Sequence, residues 1–114
     1  MKIDKSLMTG STAMLILKLL ESTDMYGYQM IDELEKRSQN IFTLKAGTLY
    51  PLLHTLEQQN MIESYSTKTD STRPRKYYRL TKSGRKMLNQ KKAEWKAYTS
   101  AVNQVLGGHN YVRT

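Results

Sequence analysis

The stretch that decides the fold runs from Lys45 to Gly84: KAGTLYPLLHTLEQQNMIESYSTKTDSTRPRKYYRLTKSG. Across 46–59 the apolar residues Leu49, Leu52, Leu53 and Leu56 recur at helical spacing and make one buried stripe. Lys45, Thr48, Tyr50, Pro51, His54 and Gln58 are left on the open side. A proline damages a helix interior, so Pro51 is expected near the first turns. Asn60 tolerates the left-handed conformation that ends a helix. Residues 61–67 and 75–80 then read as a β-hairpin, with Tyr77, Tyr78 and Leu80 supplying β-favouring side chains. Ile62 and Tyr65 fall on opposite faces of a regular strand, so the alternation is imperfect. The connection from Lys68 to Pro74 is polar and long, and is expected to move freely without a ligand. Thr81 is a suitable N-cap for one more helix. A short helix that can enter a groove, beside a basic hairpin that can hold a backbone, is the arrangement of a winged helix.

Working outward, residues 6–21 read as one helix, apolar on more than one side through Leu7, Met14, Leu15, Ile16, Leu17, Leu19 and Leu20. Residues 27–37 read as a second, with Met30, Ile31 and Leu34 inward and Asp32, Glu33, Glu35 and Lys36 outward. Ile41–Leu44 is either a short strand or an apolar plug. The last helix runs to about residue 106, where Gly107-Gly108 stops it. Along it Leu88, Trp95 and Val102 repeat every seven residues, with Tyr98 or Thr99 and Val105 or Leu106 between. So long a stripe is difficult to bury on so small a domain, and a symmetric dimer is the simplest way to cover it. The expected organisation is mainly α with a small β-hairpin: a winged helix-turn-helix over 1–81, a dimerisation helix over 82–106 and a flexible tail over 107–114.

The composition narrows the function. A chain of 114 residues holds one compact domain and no separate catalytic one. Without cysteine there is neither a disulfide framework nor a thiolate metal site. The opening MKIDKSLMTGSTAM lacks the apolar core of a signal peptide, and the run from Met14 to Leu20 is too short to span a bilayer. A cytoplasmic protein without membrane association is expected. Residues 1–44 carry five Lys/Arg against six Asp/Glu, whereas 45–114 carry thirteen against four. The whole positive excess therefore lies on the second part, which points to a polyanionic partner rather than to general solubility. His54 and His109 lie far apart. There is no Gly-rich phosphate loop, no paired carboxylate spacing and no Ser-His-Asp signature, so no enzyme, cofactor or metal is expected.

On this reading double-stranded DNA is the partner; the alternatives are a small-molecule sensor with ligand binding at the dimer interface as its main role, and an adaptor that uses the basic hairpin for an acidic protein. Lys45, Thr48, Tyr50, Pro51 and His54 present to base edges from the groove helix. Lys68, Arg73, Arg75 and Lys76 neutralise phosphates from the hairpin, where Tyr77 or Tyr78 adds a hydrogen bond while the other faces the core. Lys5 and Tyr26 complete the expected DNA-contacting set. Leu88, Trp95, Tyr98, Val102 and Leu106 form the expected dimer seam. Trp95 is either an aromatic anchor of that seam or, facing its symmetry mate, one wall of a slot for a planar aromatic molecule.

Three motifs resemble a known family. Ala46-Gly47-Thr48-Leu49-Tyr50-Pro51-Leu52-Leu53 with Leu56-Glu57 is similar to the signature helix of PadR-type transcriptional regulators. So are Arg75-Lys76-Tyr77-Tyr78-Arg79-Leu80-Thr81 with Gly84, and Tyr26-Gly27-Tyr28. The resemblance covers roughly residues 6–106. It implies a homodimeric repressor on an inverted repeat, released by a small phenolic or drug-like molecule. It also implies that Leu7, Gly10, Ala13 and Met14 lie near Trp95 and Thr99 at the ligand site. Asn60 departs from the glycine common in the family after this helix. Thr99 stands where a carboxylate would help hold a cationic drug. Glu94, about 100° around the helix from Trp95, is expected to point elsewhere.

Overall fold

The computed structural model describes residues 3–67 and 74–107. The elements in order are α1 (Lys5–Thr9), α2 (Thr12–Ser22), β1 (Met25–Tyr26), α3 (Gly27–Arg37), α4 (Ala46–Gln58), β2 (Ile62–Thr67), β3 (Arg75–Leu80) and α5 (Lys82–Val105). The helix expected over 6–21 is broken at Gly10 and Ser11. The cause is local: the Thr12 hydroxyl (2.9 Å), the Ser11 hydroxyl (3.1 Å) and the Ser11 N–H (2.9 Å) all donate to the Met8 carbonyl. Side-chain donors that capture a backbone acceptor compete with the regular ladder and bend or end a helix.

The three strands form one antiparallel sheet in the order β1-β3-β2. β1 is not legible as a strand in the sequence; it exists because Met25 and Tyr26 pair with Tyr78 and Tyr77 of β3. In the hairpin Ile62 lies opposite Leu80, and Tyr65 opposite Tyr77. Ile62 and Tyr78 turn into the core, while Tyr77 and Tyr65 lie on the other face, so the two consecutive tyrosines do separate by face. Residues 41–44 form no strand: Leu44 is buried and Phe42 packs beside it as a plug.

The core gathers Ile16, Leu17, Met30, Leu49, Leu53, Ile62 and Leu88, one or two each from α2, α3, α4, β2 and α5, with Tyr78 from β3 beside them. Leu52 is only partly covered. Full burial of each such side chain is worth about 1.5–3 kcal/mol. Pro51 is the sixth residue of α4, one turn further in than a proline fits without loss. Asn60 adopts φ 63°, the left-handed stop, and the Met61 N–H returns to the Leu56 carbonyl at 2.9 Å.

One junction fixes α5 to the hairpin. The Thr81 hydroxyl lies 2.7 Å from the Asn60 carbonyl and accepts from the Gly84 N–H at 2.9 Å. The Thr81 N–H donates to the Met61 carbonyl at 3.1 Å. A Cβ on Gly84 would run into that same carbonyl oxygen. Only a glycine lets the helix approach the backbone this closely.

Beyond this junction α5 leaves the body of the protein, whose extents are 66 × 32 × 21 Å. Gly84 and Leu88 are its only buried residues. Leu88 is 0% exposed, enclosed by the protomer's own core, so it is not available to a seam between copies. The exposed apolar surface starts further along, with Trp95 at 44%, Tyr98 at 63%, Val105 at 86% and Leu106 at 75% exposed. Val102 is half-buried.

Candidate functional site

The open face of α4 carries Thr48, Tyr50, Pro51 and His54, all exposed, as the leucine spacing requires. Two clefts flank it. On one side Lys5 and Thr9 of α1 approach Lys45 and Thr48, around a cleft of about 310 Å³ floored by Met8, Leu44 and Leu52. Lys45 is the N-cap of α4 and makes no side-chain capping bond, and the first turn holds no acidic residue. The positive end of the helix dipole therefore faces solvent between two lysines.

On the other side Tyr26, Tyr28 and Tyr50 meet Arg75 and Lys76 around a cleft of about 410 Å³. Tyr50 reaches it by lying over Gly27, where a Cβ would collide with the phenol oxygen. Burial, first, and the neighbouring Tyr28 and Tyr78 push the Tyr50 phenol above its ordinary value, so it stays a hydrogen-bond donor. The aromatic rings continue across the sheet. Tyr26 meets Tyr77 edge-on at 5.4 Å, and Tyr77 stacks on Tyr65 at 5.8 Å. The Tyr65 hydroxyl donates to Asp24 at 2.6 Å, and that bond raises its pKa.

The wing cations differ in their partners. Lys76 lies 3.8 Å from Glu57 of α4, and Arg79 lies 2.9 Å from Glu63 of β2. Arg75 instead lies over the Tyr26 ring at 4.5 Å. Lys68 and Arg73, expected to touch phosphates, lie outside the described residues. Tyr28, absent from the expected set, joins the cleft because β1 holds the start of α3 against β3.

A third cleft, of about 400 Å³, lies where α5 crosses the α1–α2 break. Gly10, Met14, Trp95 and Tyr98 line it, with the Trp95 and Tyr98 rings 6.2 Å apart. Leu7, Ala13 and Thr99, which the resemblance places with Trp95 at a site between subunits, do not line this cleft within one protomer. Leu7 is exposed, Ala13 turns to the cleft beside Lys45, and the Thr99 hydroxyl is bonded to the Trp95 carbonyl at 2.9 Å. Glu94 does line the cleft, together with Lys91, contrary to the helical-wheel expectation. Lys91, Glu94, Trp95 and Tyr98 stand at i, i+3, i+4 and i+7, so Glu94 and Trp95 flank one stripe of α5 although they lie about 100° apart.

A helix presented between a basic wing and a basic N-terminal segment makes the fold a winged helix-turn-helix, and its class that of the transcriptional regulators. Residues 16–90 match the model of the transcriptional regulator PadR-like family, and the chain belongs to that family. A transcriptional regulator from Clostridium thermocellum superposes with a TM-score of 0.82 at 31% identity, over 87% of this chain and 96% of its own. A PadR family transcription regulator from Clostridium difficile gives 0.73 at 39% identity, over 85% and 99%. Transcriptional regulator Rv3488 of Mycobacterium tuberculosis is 30% identical over 96 residues, 84% of this chain and 83% of that protein. Among the described residues no helix is long and apolar enough to cross a membrane.

Proposed function

We propose that the chain is a cytoplasmic repressor that binds an inverted-repeat operator as a homodimer. The observation that carries this reading is the setting of α4. Its open face lies between the Lys5–Lys45 cleft and the Arg75 cleft, so a groove-bound helix would have a basic clasp on each side. In this reading Thr48, Tyr50, Pro51 and His54 face base edges. Lys5, Tyr26, Lys45, Lys68, Arg73, Arg75, Lys76 and Tyr77 serve the backbone and set the register. Residues 1–81 form the reading unit, 82–106 the dimerising helix and 107–114 the tail. The exposed Trp95, Tyr98 and Leu106, with Val102, support a second copy on α5, because so much apolar surface on one helix is costly to leave in water.

The test is a gel-shift titration on the DNA flanking the protein's own gene, with a salt series. A sequence-specific shift that weakens steeply with salt is expected. Absence of any sequence-specific shift at moderate salt would overturn the reading.

A second reading is favoured by the third cleft, which combines two aromatic rings with the Glu94 carboxylate. There a small aromatic effector would stack on Trp95 and shift the dimer between two spacings of its α4 helices. Trp95 is the only tryptophan, so quenching of its fluorescence by planar aromatic compounds is the direct readout. A broad panel without quenching would count against an effector at this place.

A further inference from the structure

The basic residues at the start of β3 have unequal surroundings, and the inequality assigns a role. Lys76 is drawn towards Glu57 and also lies 5.5 Å over the Tyr78 ring. Arg79 is paired with Glu63 and rests on Tyr65 at 4.7 Å. Arg75 has no acidic partner among the described residues. Its guanidinium carbon lies 4.5 Å over the Tyr26 ring, and its side chain is exposed. A guanidinium set over a ring, with no carboxylate partner among the described residues, is a stronger phosphate ligand than an ammonium that must first leave a carboxylate.

The support behind Arg75 is continuous. Tyr26, Tyr77 and Tyr65 stand side by side on β1, β3 and β2, as the strand register dictates. Asp24 anchors the far end through the Tyr65 hydroxyl. Tyr26 therefore has little freedom to swing, and neither has the cation on it. The same cleft is lined by Tyr28 and Tyr50, on separate helices, and by Lys76.

We infer that the cleft between α4 and the start of β3 is a phosphate seat for the DNA backbone, in which Arg75 supplies the charge, Tyr26 positions it, and Lys76 contributes little. This rests on the DNA-binding reading above and adds a division of labour to it. Tyr26 is a positioning residue: it acts through Arg75.

Phosphate binding is independent of sequence, so the test needs no known operator. A mixed-sequence 24-base-pair duplex is titrated by fluorescence anisotropy at several salt concentrations, for the wild type and four variants. The slope of log K against log salt falls by about 0.9 for each phosphate that is no longer neutralised. Arg75→Gln is expected to lower the slope by about that amount for each protomer bound. Lys76→Gln should leave it nearly unchanged. Tyr26→Leu should lower the slope as Arg75→Gln does, although it removes no charge, while Tyr26→Phe keeps the ring and the slope. Thermal melting shows whether Tyr26→Leu is folded, and Arg75→Gln, on an exposed side chain, tests the seat even if it is not. A slope unaltered in Arg75→Gln, or lowered equally in Lys76→Gln, overturns the seat while the DNA reading stands. A folded Tyr26→Leu with the wild-type slope overturns the positioning role. A wild type with no salt-dependent binding overturns the DNA reading, and the seat with it.

Discussion

Gly84→Ala tests the junction between α5 and the hairpin with a single methyl group. The new Cβ would overlap the Met61 carbonyl oxygen and come within 2.7 Å of a Leu80 methyl and 3.0 Å of the Met61 carbonyl carbon. The main obstacle is backbone, which cannot swing aside as a side chain does. That carbonyl accepts the Thr81 N–H at 3.1 Å, and the Asn60 carbonyl beside it lies 2.7 Å from the Thr81 hydroxyl. Relief of the overlap therefore weakens two hydrogen bonds, each worth about 0.5–1.5 kcal/mol. Residual overpacking adds roughly 1–3 kcal/mol. Against this, alanine is better than glycine in a helix by about 1 kcal/mol. The net loss is about 1–5 kcal/mol and centred near 3, a substantial part of the ordinary stability of a domain this size. At about 4–6 °C per kcal/mol the central value lowers the midpoint by roughly 12–18 °C. Gly47→Ala is the control: nothing lies within 4 Å of its Cβ, and it sits in the first turn of α4. It should hold or slightly raise the midpoint. The assay is thermal melting followed by circular dichroism at 222 nm, at one protomer concentration, because association shifts apparent stability. If Gly84→Ala melts within a few degrees of Gly47→Ala, the junction is looser than described and the close approach is not a constraint.

Leu88 and Tyr98 lie on the same helix and should respond to different measurements. Leu88→Ala opens a cavity in the protomer core and should cost about 2–5 kcal/mol in a denaturant titration. Tyr98→Ala should leave the melt of the isolated protomer nearly unaltered and weaken self-association in sedimentation equilibrium. Glu21 gives a pH dependence. The hydrogen bond from Lys18 holds its carboxyl below the ordinary 4.5, and the charges of Lys92 and of Arg85, itself 3.4 Å away, act in the same direction. A lowered native pKa adds stability that is present above the unfolded value and is lost as pH falls through the native one. A small extra loss below about pH 4.5 should therefore be present in the wild type and absent in Glu21→Gln, as judged by parallel urea titrations.

What can be read in the chain beforehand depends on the range of the interaction. α3, α4, the hairpin and α5 are amphipathic over many residues, and their expected boundaries fall within one or two positions of the observed ones. β1 has only two residues, too few for alternation to register, and owes its existence to β3, about fifty residues away. The break in the first helix is written in Gly10-Ser11-Thr12, but a run of apolar residues on both sides masks it. Leu88 shows a limit of heptad reasoning. The repeat identifies an inward-facing position on α5 and does not say whether the surface it faces belongs to its own protomer. Glu94 shows a different limit: its angle to Trp95 alone hides that both belong to the stripe of Lys91 and Tyr98. The pairing of Arg75 with Tyr26 needs β1 first, and so is out of reach without the sheet.

The fixed joint at Thr81, Met61 and Gly84 has a mechanical meaning. From Gly84 to Val105 is about 31 Å of helix. Because the joint ties the helix to the first residues of the hairpin, α5 and the wing tilt as one stiff arm. A tilt of that whole arm by about 5° displaces the far end of α5 by about 3 Å over that length. Run in reverse, a molecule wedged near Trp95 need not loosen anything inside the reading unit. In the proposed dimer it would re-aim two rigid heads, and a change of a few ångströms at the seam would be delivered to the grooves as a mismatch of pitch.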